Sequence, residues 1–194
     1  MRKLSLLGVV ASVFLGLVAT AQSAFAESTL EIVQNRGHLR CQVGPPSPGF
    51  YQLSQDGVWS GSDVAICRGI AAAIFGDPNA VEYQSVTSAV RFTALANGES
   101  DLLSRTTTWT LFRETQLGLD FTAVNFFDGQ GFMVPADSGI GSAFDLKGAT
   151  VCVLTGTTTE LNLADFSRAN DLNMQPVVFE DGNVRNDTYL KGGC

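Results

Sequence analysis

A run of hydroxyl side chains followed by an arginine is the pattern in this sequence best suited to holding a small polar molecule. Ser104 to Thr110 reads SRTTTWT, with candidate ligand contacts at Thr106 and Thr108, and Arg113 follows three residues further on. Hydroxyl and free backbone groups at the carboxyl end of a parallel strand can hydrogen-bond a small solute. The guanidinium of Arg113 can bind a carboxylate through two hydrogen bonds. The alternative is that the threonines form strands and helix caps, and that Arg113 makes a surface ion pair.

A second polar motif combines a glycine with the start of a helix. The segment 153–160 reads VLTGTTTE, and its candidate ligand contacts are Gly156, Thr157, Thr158 and Thr159. Unpaired N–H groups and the helix dipole make such a helix start an anion site. Thr157 and Glu160 also match a T-x-x-E capping box, which serves the helix itself. Both interpretations can hold together.

Phe50 is a third candidate contact, because it follows a proline- and glycine-rich loop and could stack on the apolar part of a ligand. Core packing is the alternative for this residue.

Nothing in the sequence assembles a hydrolytic site, since His38 has no serine or cysteine nucleophile in a recognisable context. The cysteines lack a C-x-x-C spacing, which leaves a zinc site poorly supplied. We therefore expect a binding protein without catalytic residues, metal or cofactor.

These residues must be positioned by alternating strands and helices. Strands are predicted at 38–43, 81–86, 101–104, 126–134, 149–154 and 175–180. Helices are predicted at 63–75, 89–97, 110–117 and 156–170. This alternation predicts an α/β fold with largely parallel sheets. No clear element is predicted in the polar, glycine-containing segment 181–194.

The first 26 residues have the features of a secretory signal peptide. Arg2 and Lys3 give a positive start, Leu4 to Val18 is apolar, and Ala24 to Ala26 supplies a small-x-small cleavage site. The apolar run is short for a membrane anchor, which is the alternative. We expect cleavage after Ala26 and export to the periplasm.

Charge and cysteine content limit the partners and the compartment. The formal net charge of −7 repels phosphate backbones, so nucleic acid is not expected as a partner. The cysteines are Cys41, Cys67, Cys152 and Cys194, and an even number in an exported chain indicates two disulfides. Three connectivities are possible. Because the early and late pairs fall in separate halves, we expect Cys41–Cys67 and Cys152–Cys194.

Several segments, taken together, resemble the general amino-acid-binding proteins of polar amino-acid ABC transporters, which have the type II periplasmic-binding fold. The resemblance runs from about residue 30 to residue 180, and its motifs SR-x-TTWT, GLDF, DGQGFMV and GTTTELNLAD occur in this order. Further matching segments are Arg36–Cys41, Gly61–Arg68 and Arg91–Leu95. This order of motifs is specific enough to indicate the family.

The resemblance implies a two-lobe α/β protein that clamps an amino acid between its lobes and delivers it to a membrane permease. Residues 27–133 would form lobe 1, residues 134–194 a partial lobe 2, and residues 126–134 would hold the first hinge crossing. The family's pocket maps onto Phe50, Thr106, Thr108 and the carboxylate-binding Arg113, with Gly156–Thr159 as the second half of the carboxylate site. The cysteine pairs fit the family pattern, and we expect a monomer.

The sequence also departs from the family's pattern. Ser62 replaces a usual aromatic residue, Thr106 replaces a common asparagine, and the family chain continues past Cys194 through an aspartate that binds the ligand's ammonium. We therefore expect a C-terminally truncated chain that binds amino acids weakly or not at all, because no partner for the ammonium is evident. The alternatives are a periplasmic sensor or partner domain, a gene fragment without function, and a dehydratase-like enzyme on the same fold. That enzyme would need an acid or base beside Arg113, and the sequence shows none.

Overall fold

Strands and helices alternate along the part of the chain that the computed structural model describes, residues 27–194. The predicted signal peptide of residues 1–26 lies outside the described residues. The strands described are β1 (Leu39–Val43), β2 (Gln52–Leu53), β3 (Trp59–Ser60), β4 (Val81–Ser85), β5 (Leu102–Leu103), β6 (Thr150–Leu154) and β7 (Gln175–Phe179). The helices are α1 (Thr29–Arg36), α2 (Ser62–Phe75), α3 (Arg91–Ala96), α4 (Leu111–Thr115), a 3₁₀ turn (Ala143–Leu146), α5 (Thr158–Ala169) and α6 (Gly182–Leu190).

A parallel sheet in the order β4–β1–β5 forms the first core together with helix α2. Val64, Cys67 and Ala71 recur at helical spacing and are buried on one face of α2. The helix ends at Gly76, whose φ of 72° is the left-handed conformation that glycine adopts freely. The predicted disulfide joins Cys67 to Cys41 of β1, with 6.2 Å between the Cα atoms. The first half therefore folds as predicted around its own buried sulfur bridge.

A second core forms around the parallel pair β6–β7. Its buried residues are Leu146, Val153, Leu163, Leu172 and Met174, contributed by the 3₁₀ turn, β6, helix α5 and the loop before β7. The second predicted disulfide joins Cys152 to Cys194, with 5.6 Å between the Cα atoms. The parallel α/β character expected from the alternation is thus present in both halves.

Strands β2 and β3 pair as an antiparallel hairpin, and Trp59 of β3 packs against Tyr83 of β4 with 6.1 Å between the ring centres. Tyr51, beside this hairpin, is buried with Val43 and Val64 in a small cluster. Gly61 follows β3 with a φ of 125°, and a Cβ atom there would overlap the carbonyl of Phe50. Only glycine allows the chain to pass this close before helix α2 begins.

The predicted strand at 126–134 is wrong. Among the described residues 27–194, this segment forms no strand and pairs with no other strand. Its residues have strand-forming side chains, but a strand also needs a neighbouring backbone that accepts and donates hydrogen bonds. Phe132 instead packs its side chain against the second core.

The prediction of no clear element in 181–194 is also wrong, because α6 occupies most of this segment. The side chain of Asp181 caps the helix by accepting hydrogen bonds from the N–H groups of Asn183 (2.8 Å) and Val184 (3.0 Å). No residue of α6 is fully buried, which explains why its hydrophobic pattern is too weak to notice.

Among residues 27–194, no helix has the length and apolar character required to cross a membrane.

Candidate functional site

The hydroxyl-rich segment after β5 is held in place by a buried carboxylate. Oδ2 of Asp63, in the first turn of α2, accepts a hydrogen bond from the N–H of Thr106 at 3.0 Å. Ser104 donates its hydroxyl to the Asp63 carbonyl, and the Tyr51 hydroxyl lies 2.9 Å from Oγ1 of Thr106. The start of one helix and the end of one strand are thereby fixed to each other.

Arg113 is positioned by the short helix α4. Thr110 caps this helix, because its Oγ1 accepts a hydrogen bond from the Arg113 N–H at 3.2 Å. The guanidinium turns back, donates to the carbonyl of Thr108, and lies 5.0 Å from the centre of the Phe92 ring. Arg113 is buried, so it is not the surface ion pair of the alternative interpretation.

The second predicted motif begins where β6 ends. Thr157 caps helix α5 by accepting from the Glu160 N–H at 3.1 Å, as the T-x-x-E pattern predicts. The reciprocal bond differs from a standard capping box, because Glu160 accepts from the N–H of Gly156. A Cβ atom at Gly156 would lie 3.0 Å from the Ser88 carbonyl oxygen, so glycine allows a close approach of two backbones. The Gly156 carbonyl accepts from Arg91 at 3.1 Å.

The two motifs meet in one cleft, where Oγ1 of Thr108 lies 3.2 Å from Oγ1 of Thr158. The cleft has a volume of about 230 Å³. It is lined by Tyr51, Ser88, Arg91, Arg105, Thr106, Thr108, Arg113, Asp128, Leu154, Thr157, Thr158, Thr159 and Arg185. Six of the eight predicted ligand contacts therefore line a single cavity.

Phe50 and Gly156 do not line this cleft. The Phe50 ring packs edge-to-face against Phe126, with 5.1 Å between the ring centres. Phe50 thus contacts the segment predicted to cross between the lobes, while Gly156 provides the backbone approach to Ser88.

The cleft is strongly positive because four of its lining residues are arginines and one is an aspartate. Burial, followed by repulsion from Arg105 and Arg113, lowers the pKa of Arg91 to about 9. Burial also lowers the pKa of Arg105 and of Arg113. All of these guanidinium groups remain charged at neutral pH, and an anion entering the cleft relieves their mutual repulsion.

Several lining residues were missed by the sequence reading. Arg105 stands inside the predicted hydroxyl run and Asp128 inside the DGQGFMV motif, so both had a local signal. Arg185 lies on the unpredicted helix α6. Arg91 begins the matching segment Arg91–Leu95, but no hydroxyl run marks it as a ligand contact, and it reaches the cleft from the start of α3. No group of three or more His, Cys, Asp or Glu side chains that could hold a metal is found among the described residues.

Parallel strands that end at a polar cleft are the arrangement at which α/β proteins bind small solutes, and the arginines in this lining suit an anionic group. The chain belongs to the bacterial extracellular solute-binding proteins, family 3, whose model matches residues 39–189. The fold is therefore the α/β type II periplasmic-binding fold that the sequence motifs predicted.

Similar proteins include both curated relatives and solved structures. The chain is 49% identical to the glutamate/glutamine/aspartate/asparagine-binding protein of Rhodobacter capsulatus, over 94% of this chain and 55% of that protein. It is 45% identical to the general L-amino acid-binding periplasmic protein of Rhizobium johnstonii, over 95% and 54%. A periplasmic binding protein from Brucella ovis with glutathione bound superposes with a TM-score of 0.82 at 49% identity, over 87% of this chain and 53% of that one. The chain thus spans about half the length of these relatives.

Proposed function

We propose that this chain forms the ligand-capturing part of a periplasmic solute-binding protein that delivers L-amino acids to the membrane permease of an ABC transporter. Membership of the family supports this proposal, as do the relatives named as amino-acid-binding proteins. The role is binding, not catalysis. The proposal includes a signal peptide cleaved after Ala26 and a monomeric protein.

The observation that carries the proposal is the meeting of Arg113 with Thr157, Thr158 and Thr159 in one cleft. The guanidinium and the start of helix α5 present N–H donors to one small space, which suits the α-carboxylate of an amino acid. Thr106 and Thr108 add hydroxyl groups at its edge.

The α-ammonium also has a candidate partner. Asp128 lines the same cleft, and its carboxylate can balance the positive charge of the ligand. The expectation of weak binding assumed that no carboxylate was present for this purpose. With Asp128 in the cleft, we instead expect binding that calorimetry can measure.

We further propose that residues 27–133 and 134–194 act as the two lobes. The polar contact between Thr108 and Thr158 joins one proposed lobe to the other, and residues 126–134 connect them without strand pairing. Ligand binding would favour the closed arrangement, and the permease would recognise it.

Calorimetric titration of the full chain with each standard L-amino acid tests this function. We expect submillimolar binding of at least one, and Arg113→Gln should weaken it at least about 30-fold, the loss expected for a broken buried charge pair of about 2 kcal/mol. Arg168→Gln is the matched control, because Arg168 is 77% exposed and pairs with Asp165 on the same helix. Absence of binding, or a loss below about tenfold for Arg113→Gln, would refute the proposal.

A further inference from the structure

The cleft contains more positive charge than a simple amino acid requires. One guanidinium and a helix start suffice for an α-carboxylate, and Asp128 suffices for the ammonium. Three arginines remain in the lining: Arg91, Arg105 and Arg185. An arginine among these can bind a ligand only if its hydrogen-bond donors are not already paired with protein groups.

Arg91 has backbone partners. It donates to the carbonyls of Ser88 and Gly156, at 3.0 and 3.1 Å, and its guanidinium lies 4.5 Å from the centre of the Phe92 ring. These contacts join α3 to the loop before helix α5. Arg91 therefore has a structural task that accounts for its position.

Arg105 differs, because most of its donors are unused. Its exposed fraction is 7%, yet Nε and Nη1 have no hydrogen-bond partner within residues 27–194. Nη2 contacts the Ser88 hydroxyl at a long distance of 3.4 Å. The Tyr51 hydroxyl, by its charge and a hydrogen bond, and the Asp63 carboxylate also favour the charged form of Arg105, but both groups already have partners in Thr106. Burying a cation whose N–H donors have no acceptor costs free energy of folding, unless a ligand supplies the acceptor.

Arg105 also lies at the boundary between two cavities. Beside the cleft is a second cavity of about 280 Å³, and both are lined by Arg105, Arg185, Tyr51, Ser88, Thr106 and Leu154. Glu180 is the acidic residue lining the second cavity, so the two arginines leave it with net positive charge. A ligand held by Arg113 in the cleft can extend its side chain past Arg105.

We propose that Arg105 is the binding residue for a second carboxylate, so that this site prefers L-amino acids with an acidic side chain. The proposal rests on the proposed function, since it assumes that Arg113 holds the α-carboxylate. The charges agree with it, because a cleft with four arginines and one aspartate is net positive and favours a ligand of net charge −1 over a neutral one.

The test compares L-glutamate with L-glutamine in calorimetric titrations of the full chain, because the two ligands have nearly the same shape and differ in charge. We expect L-glutamate to bind at least about tenfold more tightly. In Arg105→Gln this preference should fall to about threefold or less, because the affinity for L-glutamate falls further than the affinity for L-glutamine. The Arg168→Gln control should keep the full preference.

Equal binding of the two ligands by the parent protein would overturn this inference and leave the proposed function intact. Retention of the full glutamate preference in Arg105→Gln would overturn it as well. Binding of neither ligand, nor of any other amino acid, would overturn the proposed function itself.

Thermal unfolding separates a ligand role from a structural one. Without ligand, Arg105→Gln should unfold at the same temperature as the parent or higher, because it removes a buried cation whose donors are unpaired. Arg105→Lys should keep the unfolding temperature and lose part of the glutamate preference, because an ammonium lacks the two-pronged geometry. A clear fall in the unfolding temperature of Arg105→Gln, with L-glutamine binding lost too, would show a structural role and overturn the inference.

Discussion

Asp63→Asn is the substitution that best tests how the site is positioned. The carboxylate is 3% exposed and accepts two hydrogen bonds, from the Thr106 N–H at 3.0 Å and from the Asn125 side chain at 2.9 Å. It also lies in the first turn of α2, where the helix dipole favours negative charge. One side chain thus connects a helix start, the hydroxyl-rich segment 104–110 (the ligand loop) and the segment that leads to residues 126–134.

The expected loss of stability follows from these contacts. Asparagine keeps the shape but has a single acceptor oxygen, so one of the two buried donors loses its partner, at about 1–3 kcal/mol. The other bond loses its charge, and the helix loses a favourable dipole interaction of about 0.3–1 kcal/mol. We expect the free energy of unfolding to fall by roughly 2–4 kcal/mol in total. Because Thr106 is no longer fixed, affinity for the amino acid should fall as well.

Urea denaturation, with the slope of the transition compared between variants, measures this loss. Asp165→Asn is the matched control, because Asp165 is 66% exposed and its ion pair with Arg168 should be worth less than about 1 kcal/mol. If Asp63→Asn and Asp165→Asn lost the same small amount, the buried carboxylate would not be what positions the ligand loop.

Two further predictions concern the framework of the site. Gly156→Ala should lower the free energy of unfolding by about 1–3 kcal/mol, because φ is +70° and the new methyl group meets the Ser88 carbonyl. Gly148→Ala, with a similar φ of +76° and open space around it, should cost less, and an equal cost would contradict the close approach at Gly156. Replacing Cys41 and Cys67 together by alanine should cost about 3.5 kcal/mol, from the 26-residue separation that the bridge closes. Denaturation of the oxidised parent and the variant checks this value, and an unchanged midpoint would show that the bridge contributes nothing.

Local signals were sufficient for most elements. The apolar spacing of α2 and the glycine at its end act within a few residues of chain, as does the Thr157 cap of α5, so they can be read without the fold. The two wrong predictions, for residues 126–134 and 181–194, concern segments whose structure is not indicated by the neighbouring sequence. Residues 126–134 have side chains suited to a strand, but pairing depends on a distant partner, and α6 packs too little apolar surface to leave a periodic pattern.

The candidate site divides in the same way. Arg113 and the threonines of both motifs could be named from the sequence, because hydroxyl runs at strand ends and helix starts have recognisable chemistry at short spacing. The sequence by itself thus determined the fold class and the family, and it named Arg113 and the threonines that line the cleft. Only the tertiary structure decided that Arg91, Arg105, Asp128 and Arg185 join them in one cleft, since burial and the surplus of charge depend on which distant segments come together. The unpaired Nε and Nη1 of Arg105 could likewise be found only from the tertiary structure, because the sequence does not show which groups lie within hydrogen-bond distance of a side chain.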